Sequence, residues 1–567
     1  MPLNSYVFVL AFLPISVLGF RLLRQYLNRT FALWWLLLAS VFFYAYSSTE
    51  SLAIILPLIL LDFGIARWML HLSASREWQR KLLLIAGIVA NVAFLGYFKY
   101  KNFFLDTADT LFATNFQLGQ LISPIGISFL VFQAIAFLGD VYSRKTNEVC
   151  FLDFLTFALF FPRTVAGPII HYGEIMPQLR TAHDSSFADD AAVGISLISI
   201  GLFKKVITAD SLAPFSADAF DTPDSTLPWD IPTALISWVA ILTFNFQLYF
   251  DFSGYTDMAL GSARLFGVRL PMNFNSPFRS TSIVEFWGRW HITLTRFLTE
   301  YVYTPMVLSM TRARIAHGKS ILQGKRSTFS AIIMLVVVPT MVTMMISGIW
   351  HGAGWNFVIF GMLHGIYLSI NQCWRLVAKR FSLLGPLYER IMKPVGFGLT
   401  FLGVLLALVF FRAHSVASAL AVLRGMIGLN GALPKDIQLV QGGAVHLSWS
   451  FLEQVLPITA FYWVVLLSLV VTILPNSLEL LRRAHPSLDL PDSNRESLAH
   501  QGVAKPHRVA LWQASFGFGI DYVRSGIERI RIEGAPLGPL LGALTGTLFV
   551  LGIMAVGGSA SFVYEKF

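Results

Sequence analysis

The chain has 567 residues, of which 55% are hydrophobic and only 13% charged. Soluble domains run nearer ~45–50% apolar and ~25% charged, so this composition excludes a soluble enzyme or binding module and indicates a membrane protein. The surplus of 42 Lys and Arg over 32 Asp and Glu, a net charge of +10, is what cytoplasmic loops collect and does not imply nucleic acid.

The N-terminal apolar run is followed by Arg21, Arg24 and Arg29, whereas a secretory signal carries its positive charge before the apolar core. It reads as a retained first helix, with the Arg-rich end in the cytoplasm and the N-terminus outside. Further apolar segments fall near 31–47, 51–66, 82–98, 121–139, 151–170, 192–211, 231–250, 328–349, 354–371, 393–412, 457–474 and 537–556. This predicts an all-α polytopic bundle of transmembrane helices forming a single membrane domain over 1–567. Breaks such as FFPRTVAGPII (160–170) free backbone groups that hydrocarbon does not satisfy, so they belong inside the protein or beside a wet cavity. The loop 311–326 has six basic residues, counting His317, and no acid, which places it in the cytoplasm. The mixed-charge stretch 475–535 reads as a hydrophilic linker or appendage before the last helix. No repeat of period 20–50 is present. With only Cys150 and Cys373 and no CxxC, neither a disulfide framework nor a thiolate metal site is indicated.

Polar residues at membrane depth are functional candidates because burying them is expensive. One cluster is FNFQLYFDFSGYTDMALG (244–261), with Asn245, Gln247, Asp251 and Asp257, followed by Arg264, Arg269 and Arg279. A second is SIVEFWGRWHITLTRFLTEYVYTP (282–305), where Glu285 and Arg289 share a helical face at i,i+4 and His291 lies just beyond. The third, ISGIWHGAGWNFVIFGMLHG (346–365), is long enough to cross a bilayer and has no Asp, Glu, Lys or Arg, yet carries His351 and His364.

The stretches LGYFKYKNFF (95–104), PIGISFLVFQAIAFLGDVY (124–142), FFPRTVAGPI, GLFKKVITAD (201–210), YFDFSGYTDMALG (249–261), FWGRWHITLTRFL (286–298) and WHGAGWNFVIFGMLHG (350–365) occur in register. In this order they resemble the membrane-bound O-acyltransferase family, most of all its bacterial branch of alginate O-acetylase membrane subunits. FFRAHS (410–415) and LRGMIGLNG (423–431) extend the likeness over roughly 80–430, with Gly288 standing where a basic residue is usual. The resemblance implies a ring of roughly 11–13 transmembrane helices, with short in-plane or re-entrant helices, around a thin central channel. It implies transfer of an acetyl group from cytoplasmic acetyl-CoA toward hydroxyls of a secreted polysaccharide such as alginate. It also implies His351 as the essential residue and His291 as its companion.

The chemistry of the residues agrees. Acyl transfer from a thioester to a hydroxyl needs a base, and His, with an ordinary pKa near ~6.5, suits that role near neutral pH. Trp350 and Trp355 offer indole N–H donors, Asn356 orients an imidazole or donates to an oxyanion, Trp290 lines the same channel, and Gly352 and Gly354 permit close approach. His291 and His351 lack a third ligand at metal spacing, so no metal is expected. Lys204, Lys205, Arg279 and Arg289 are candidates to attract the donor's phosphates, against an ordinary positive-inside role. Asp251 and Asp257 read as structural, paired with an arginine such as Arg264, and His364 as a helix-packing histidine.

No His has an Asp five residues on, and neither GxSxG nor a DHHC motif occurs, which excludes the glycerolipid acyltransferase, serine hydrolase and cysteine palmitoyl-transfer patterns. The alternatives within the class are O-acetylation of peptidoglycan or another surface glycan and teichoic-acid D-alanylation. Outside the class stands a proton-coupled transporter, which internal repeats would support. By the family likeness, the expected setting is a multi-pass protein of the bacterial inner membrane, with a periplasmic or extracytoplasmic acetyl-accepting transferase subunit as partner.

Overall fold

The computed structural model describes residues 1–114, 123–181, 186–220, 233–323, 327–381, 385–431, 458–488, 530 and 538–558. Most of the expected hydrophilic appendage at 475–535 lies outside them. Among the described residues every regular element is a helix, with one isolated bridge between Pro271 and Leu488.

The first three helices are α1 (Val7–Tyr26), α2 (Arg29–Ser47) and α3 (Thr49–His71). Asn28 and Ser48 divide them as N-caps, their side chains accepting from Phe31 N–H at 3.2 Å and Ser51 N–H at 3.0 Å. Then come α4 (Glu77–Phe112), α5 (Ile127–Tyr142), the short α6 (Phe151–Leu159) and α7 (Tyr172–Thr181), α8 (Phe187–Ala217) and α9 (Ala234–Leu265). Two short buried helices, α10 (Ile283–Trp287) and α11 (Ile292–Leu298), precede α12 (Thr304–Ala316). The remainder is α13 (Phe329–His351), α14 (Trp355–Arg380), α15 (Pro386–Arg412), α16 (Val416–Met426), α17 (Ile458–Ile473) and α18 (Pro539–Ala555). Eight of these are long and apolar enough to cross a membrane, and α5, α16, α17 and α18 are shorter apolar helices.

One buried apolar cluster runs from Met1 to Val556. The outer faces keep large apolar side chains exposed, such as Leu18, Leu38, Leu82 and Leu399, an arrangement that suits lipid rather than water.

The stretch 346–365 is two helices, not one. α13 ends at His351, Gly352 is extended, and α14 begins at Trp355. The hairpin closes tightly because a Cβ on Gly348 would lie 2.3 Å from the Phe357 carbonyl oxygen, and one on Gly361 2.4 Å from that of Met344. Gly352 leaves room for the Phe357 ring, which a Cβ would meet at 2.1 Å. These glycines therefore serve internal packing.

α4 and α8 each contain a π-helical turn, Gly96–Tyr100 and Phe203–Ala209. Such turns frequently mark functional positions, and here they carry Lys99 and the Lys204–Lys205 pair.

Candidate active site

A small cavity lies among α9, α10, α13, α14 and α15. Its polar lining is Asn245, Trp287, Trp290, His351 and His364, and the rest is apolar, including Leu248, Phe286, Phe360, Val404, Leu408 and Phe411. His351 is the last residue of α13 and is buried at 5% exposure, its ring 4.9 Å from that of Trp350, 5.3 Å from Phe411 and 5.8 Å from Phe360.

His291 is fully buried and is not among the cavity-lining residues. It caps α11 in a left-handed conformation, φ 43° and ψ 52°, a region where His is among the more tolerated residues. Asn273 explains its orientation. Asn273 Oδ1 accepts from Thr293 N–H at 3.3 Å and Thr293 O–H at 3.0 Å, so it is the carbonyl oxygen, and the His291 Nδ1 held 3.0 Å from it must be the donor. The Nε2 of His291 is buried with no hydrogen-bond partner among the described residues. Trp350 contacts both histidines, its ring 6.0 Å from that of His291.

The structure gives several expected donors other employment. The Trp350 indole N–H donates to the Ser128 carbonyl at 3.2 Å. Asn356 spends its amide N–H groups on the carbonyls of Phe410 at 3.2 Å and Ala413 at 2.8 Å, fastening α14 to the end of α15. Trp355 is 56% exposed and packs its ring against Phe103. Of the four residues expected to line the channel, Trp290 alone is among those lining the cavity.

The basic candidates are ion-paired. Lys204 Nζ lies 2.7 Å from Asp257, and Lys205 Nζ lies 2.6 Å from Asp251 and 2.8 Å from Asp210. Arg279 pairs with Glu479 at 3.1 Å and Arg289 with Glu285 at 2.9 Å. A cation already matched with a carboxylate has less charge to offer a phosphate. Asp251 and Asp257 thus find lysines rather than Arg264, which pairs with Asp190 at 2.9 Å.

Two residues here, Lys99 and Tyr100, escaped the sequence reading, and a third, Asn245, belongs to its first polar cluster without a role assigned there. Lys99 Nζ donates to the carbonyls of Trp350 at 2.9 Å and His351 at 3.2 Å and to the Ser128 hydroxyl at 3.2 Å. Tyr100 O–H donates to the Ile349 carbonyl at 2.6 Å. Asn245 is 1% exposed, and its amide nitrogen has no partner among the described residues. The signal for Lys99 was a lysine set between aromatic residues in GYFKY (96–100), on the apolar side of Lys101. Among the described residues no three His, Cys, Asp or Glu side chains are grouped to hold a metal ion.

The model of the MBOAT, membrane-bound O-acyltransferase, family matches residues 21–318, a span that includes His291 and ends before His351. A peptidoglycan O-acetyltransferase of Helicobacter pylori is 38% identical over 457 residues, covering 76% of this chain and 80% of that protein. A probable alginate O-acetylase of Azotobacter vinelandii is 33% identical over 449 residues, 78% of this chain and 81% of its own. A teichoic acid D-alanyltransferase of Streptococcus thermophilus is 28% identical over 305 residues, 52% and 69% of the two chains. The chain therefore belongs to the membrane-bound O-acyltransferase family and is a multi-pass bacterial membrane protein that transfers acyl groups.

Proposed function

We propose that the protein moves an acetyl group from acetyl-CoA toward hydroxyl groups of a cell-surface polysaccharide, with His351 as general base. The observation that carries this reading is the convergence of His351, His364, Asn245 and Trp290 on one buried, largely apolar cavity. His351 Nε2 or Nδ1 takes the acceptor's hydroxyl proton, the oxygen attacks the thioester carbonyl, and the C–S bond breaks as the tetrahedral intermediate collapses. The proton returns from the imidazolium to the departing thiolate. With Trp350 and Asn356 engaged on backbone carbonyls, Asn245 is the amide left to donate to the carbonyl oxygen as its charge develops.

For the acceptor, the 38% identity to a peptidoglycan O-acetyltransferase, against 33% to an alginate O-acetylase over a similar length, puts peptidoglycan ahead of alginate. A periplasmic subunit that receives the acetyl group and places it on the polymer completes this scheme. The test is release of free thiol from acetyl-CoA by purified protein in liposomes. Turnover that depends on His351 supports acyl transfer, whereas proton flux without thioester consumption marks a transporter.

A further inference from the structure

We propose that Lys99, assisted by Tyr100, is a positioning residue for acyl transfer that fixes the end of the helix carrying His351. The proposal rests on the reading of His351 as the base. The last four carbonyls of an α-helix have no intrahelical partner, and in α13 those of Ile349, Trp350 and His351 are taken by two consecutive side chains of the π-helical turn in α4. A cation at a helix C-terminus also complements the negative end of the macrodipole. An ammonium has three N–H donors, and all three are matched here, by Trp350, His351 and the Ser128 hydroxyl. Lys99 is therefore occupied by protein and does not serve as a phosphate anchor. Ser128 closes the knot, since its carbonyl accepts the indole N–H of Trp350 at 3.2 Å.

The consequence for chemistry is geometric. Beyond His351 the chain is extended through Gly352 into the tight turn to Trp355, so the His351 carbonyl is the last of the helix and the one nearest the imidazole. Lys99 grips that carbonyl and the one before it. Releasing them shifts the imidazole relative to the cavity, and a displacement of about 1 Å costs about 10²-fold in rate.

The experiment compares purified wild type, Lys99→Met, Lys99→Arg, Tyr100→Phe, His351→Ala and the double variant His351→Ala/Lys99→Met in liposomes, reading thiol release from acetyl-CoA together with melting temperature. Lys99→Met is expected to lower kcat by about 10²-fold with KM for acetyl-CoA held within about twofold. Lys99→Arg, which keeps the charge and N–H donors, recovers part of that loss. Tyr100→Phe loses about 2- to 10-fold in kcat, the equivalent of one net hydrogen bond. In the His351→Ala background, Lys99→Met has no further effect on the residual rate, because the two changes act through one group. A wild-type kcat in folded Lys99→Met beside an inactive His351→Ala overturns the positioning role alone, as does a further loss in the double variant. A wild-type rate in His351→Ala overturns the base assignment and the positioning role with it. If Lys99→Met does not accumulate, Tyr100→Phe decides: an unchanged kcat there overturns the proposal.

Discussion

The indole N–H of Trp287 donates to Nδ1 of His364 at 3.3 Å, and both side chains are buried. The bond ties α10 to α14 and leaves the proton of a neutral His364 on Nε2. His364 also lines the cavity, a placement its helix-packing reading did not include.

His364→Ala removes the acceptor of a buried N–H, a loss of about 1–3 kcal/mol in stability. A lowered melting temperature with thioester turnover retained is the expected result. Loss of turnover as complete as that of His351→Ala, in protein of normal stability, would instead place His364 in the chemistry.

The helices were legible because hydrocarbon imposes long apolar runs. The expected segments 31–47, 328–349 and 457–474 correspond to Arg29–Ser47, Phe329–His351 and Ile458–Ile473. The segment expected at 231–250 continues as helix to Leu265. Its extension through Asp251 and Asp257 was hidden because the ion pairs with Lys205 and Lys204 that let it stay buried come from another helix. The expected segment 151–170 stops as an α-helix at Leu159, and Pro162 lies in the short turn that follows. At the site, His351 was legible from its polarity amid Trp and Gly. The commitments of Trp350 and Asn356 were not, because their acceptors Ser128, Phe410 and Ala413 lie more than fifty positions away in the chain.

Asn245 supplies the second prediction. Removing one oxyanion donor typically costs about 10²–10³-fold in kcat, so Asn245→Leu, which keeps the side-chain volume, should lower kcat by that order. Because the interaction forms only as charge develops, KM for acetyl-CoA should stay near the wild-type value. A raised KM with kcat intact would make Asn245 a ground-state contact and remove it from the oxyanion site.

Lys205 is 2% exposed between Asp251 and Asp210. Removing one member of a buried ion pair costs about 3–5 kcal/mol because it strands the opposite charge. Lys205→Met should therefore fail to accumulate or melt far below wild type, and Lys205→Met/Asp251→Leu should regain part of the loss. Raised KM for acetyl-CoA at unchanged melting temperature would return Lys205 to the donor's phosphates.

His291 is separated in role from His351 by its surroundings. Its Nδ1 is held by Asn273, and it lies outside the cavity lining while touching Trp350. His291→Asn should leave a measurable rate, above that of His351→Ala, since its contribution passes through packing and charge near the channel. Complete loss in well-folded protein would make it an equal partner in the proton transfer.

His351 carries the decisive prediction. Its side chain lines the cavity beside Asn245 and His364, and its helix end is held by Lys99, so it is both located and oriented at the cavity. A general base contributes about 10²–10⁴-fold in rate. His351→Ala, or His351→Gln to keep some hydrogen bonding, should lower thioester turnover by that order and bring acetylated polymer to near background. Melting temperature is read beside the rate, and His351→Gln, which refills part of the space against Trp350, Phe360 and Phe411, separates loss of the base from the cavity that alanine leaves. If folded His351→Ala protein acetylates at close to the wild-type rate, the imidazole is a packing group, and the proton must leave the acceptor by another route.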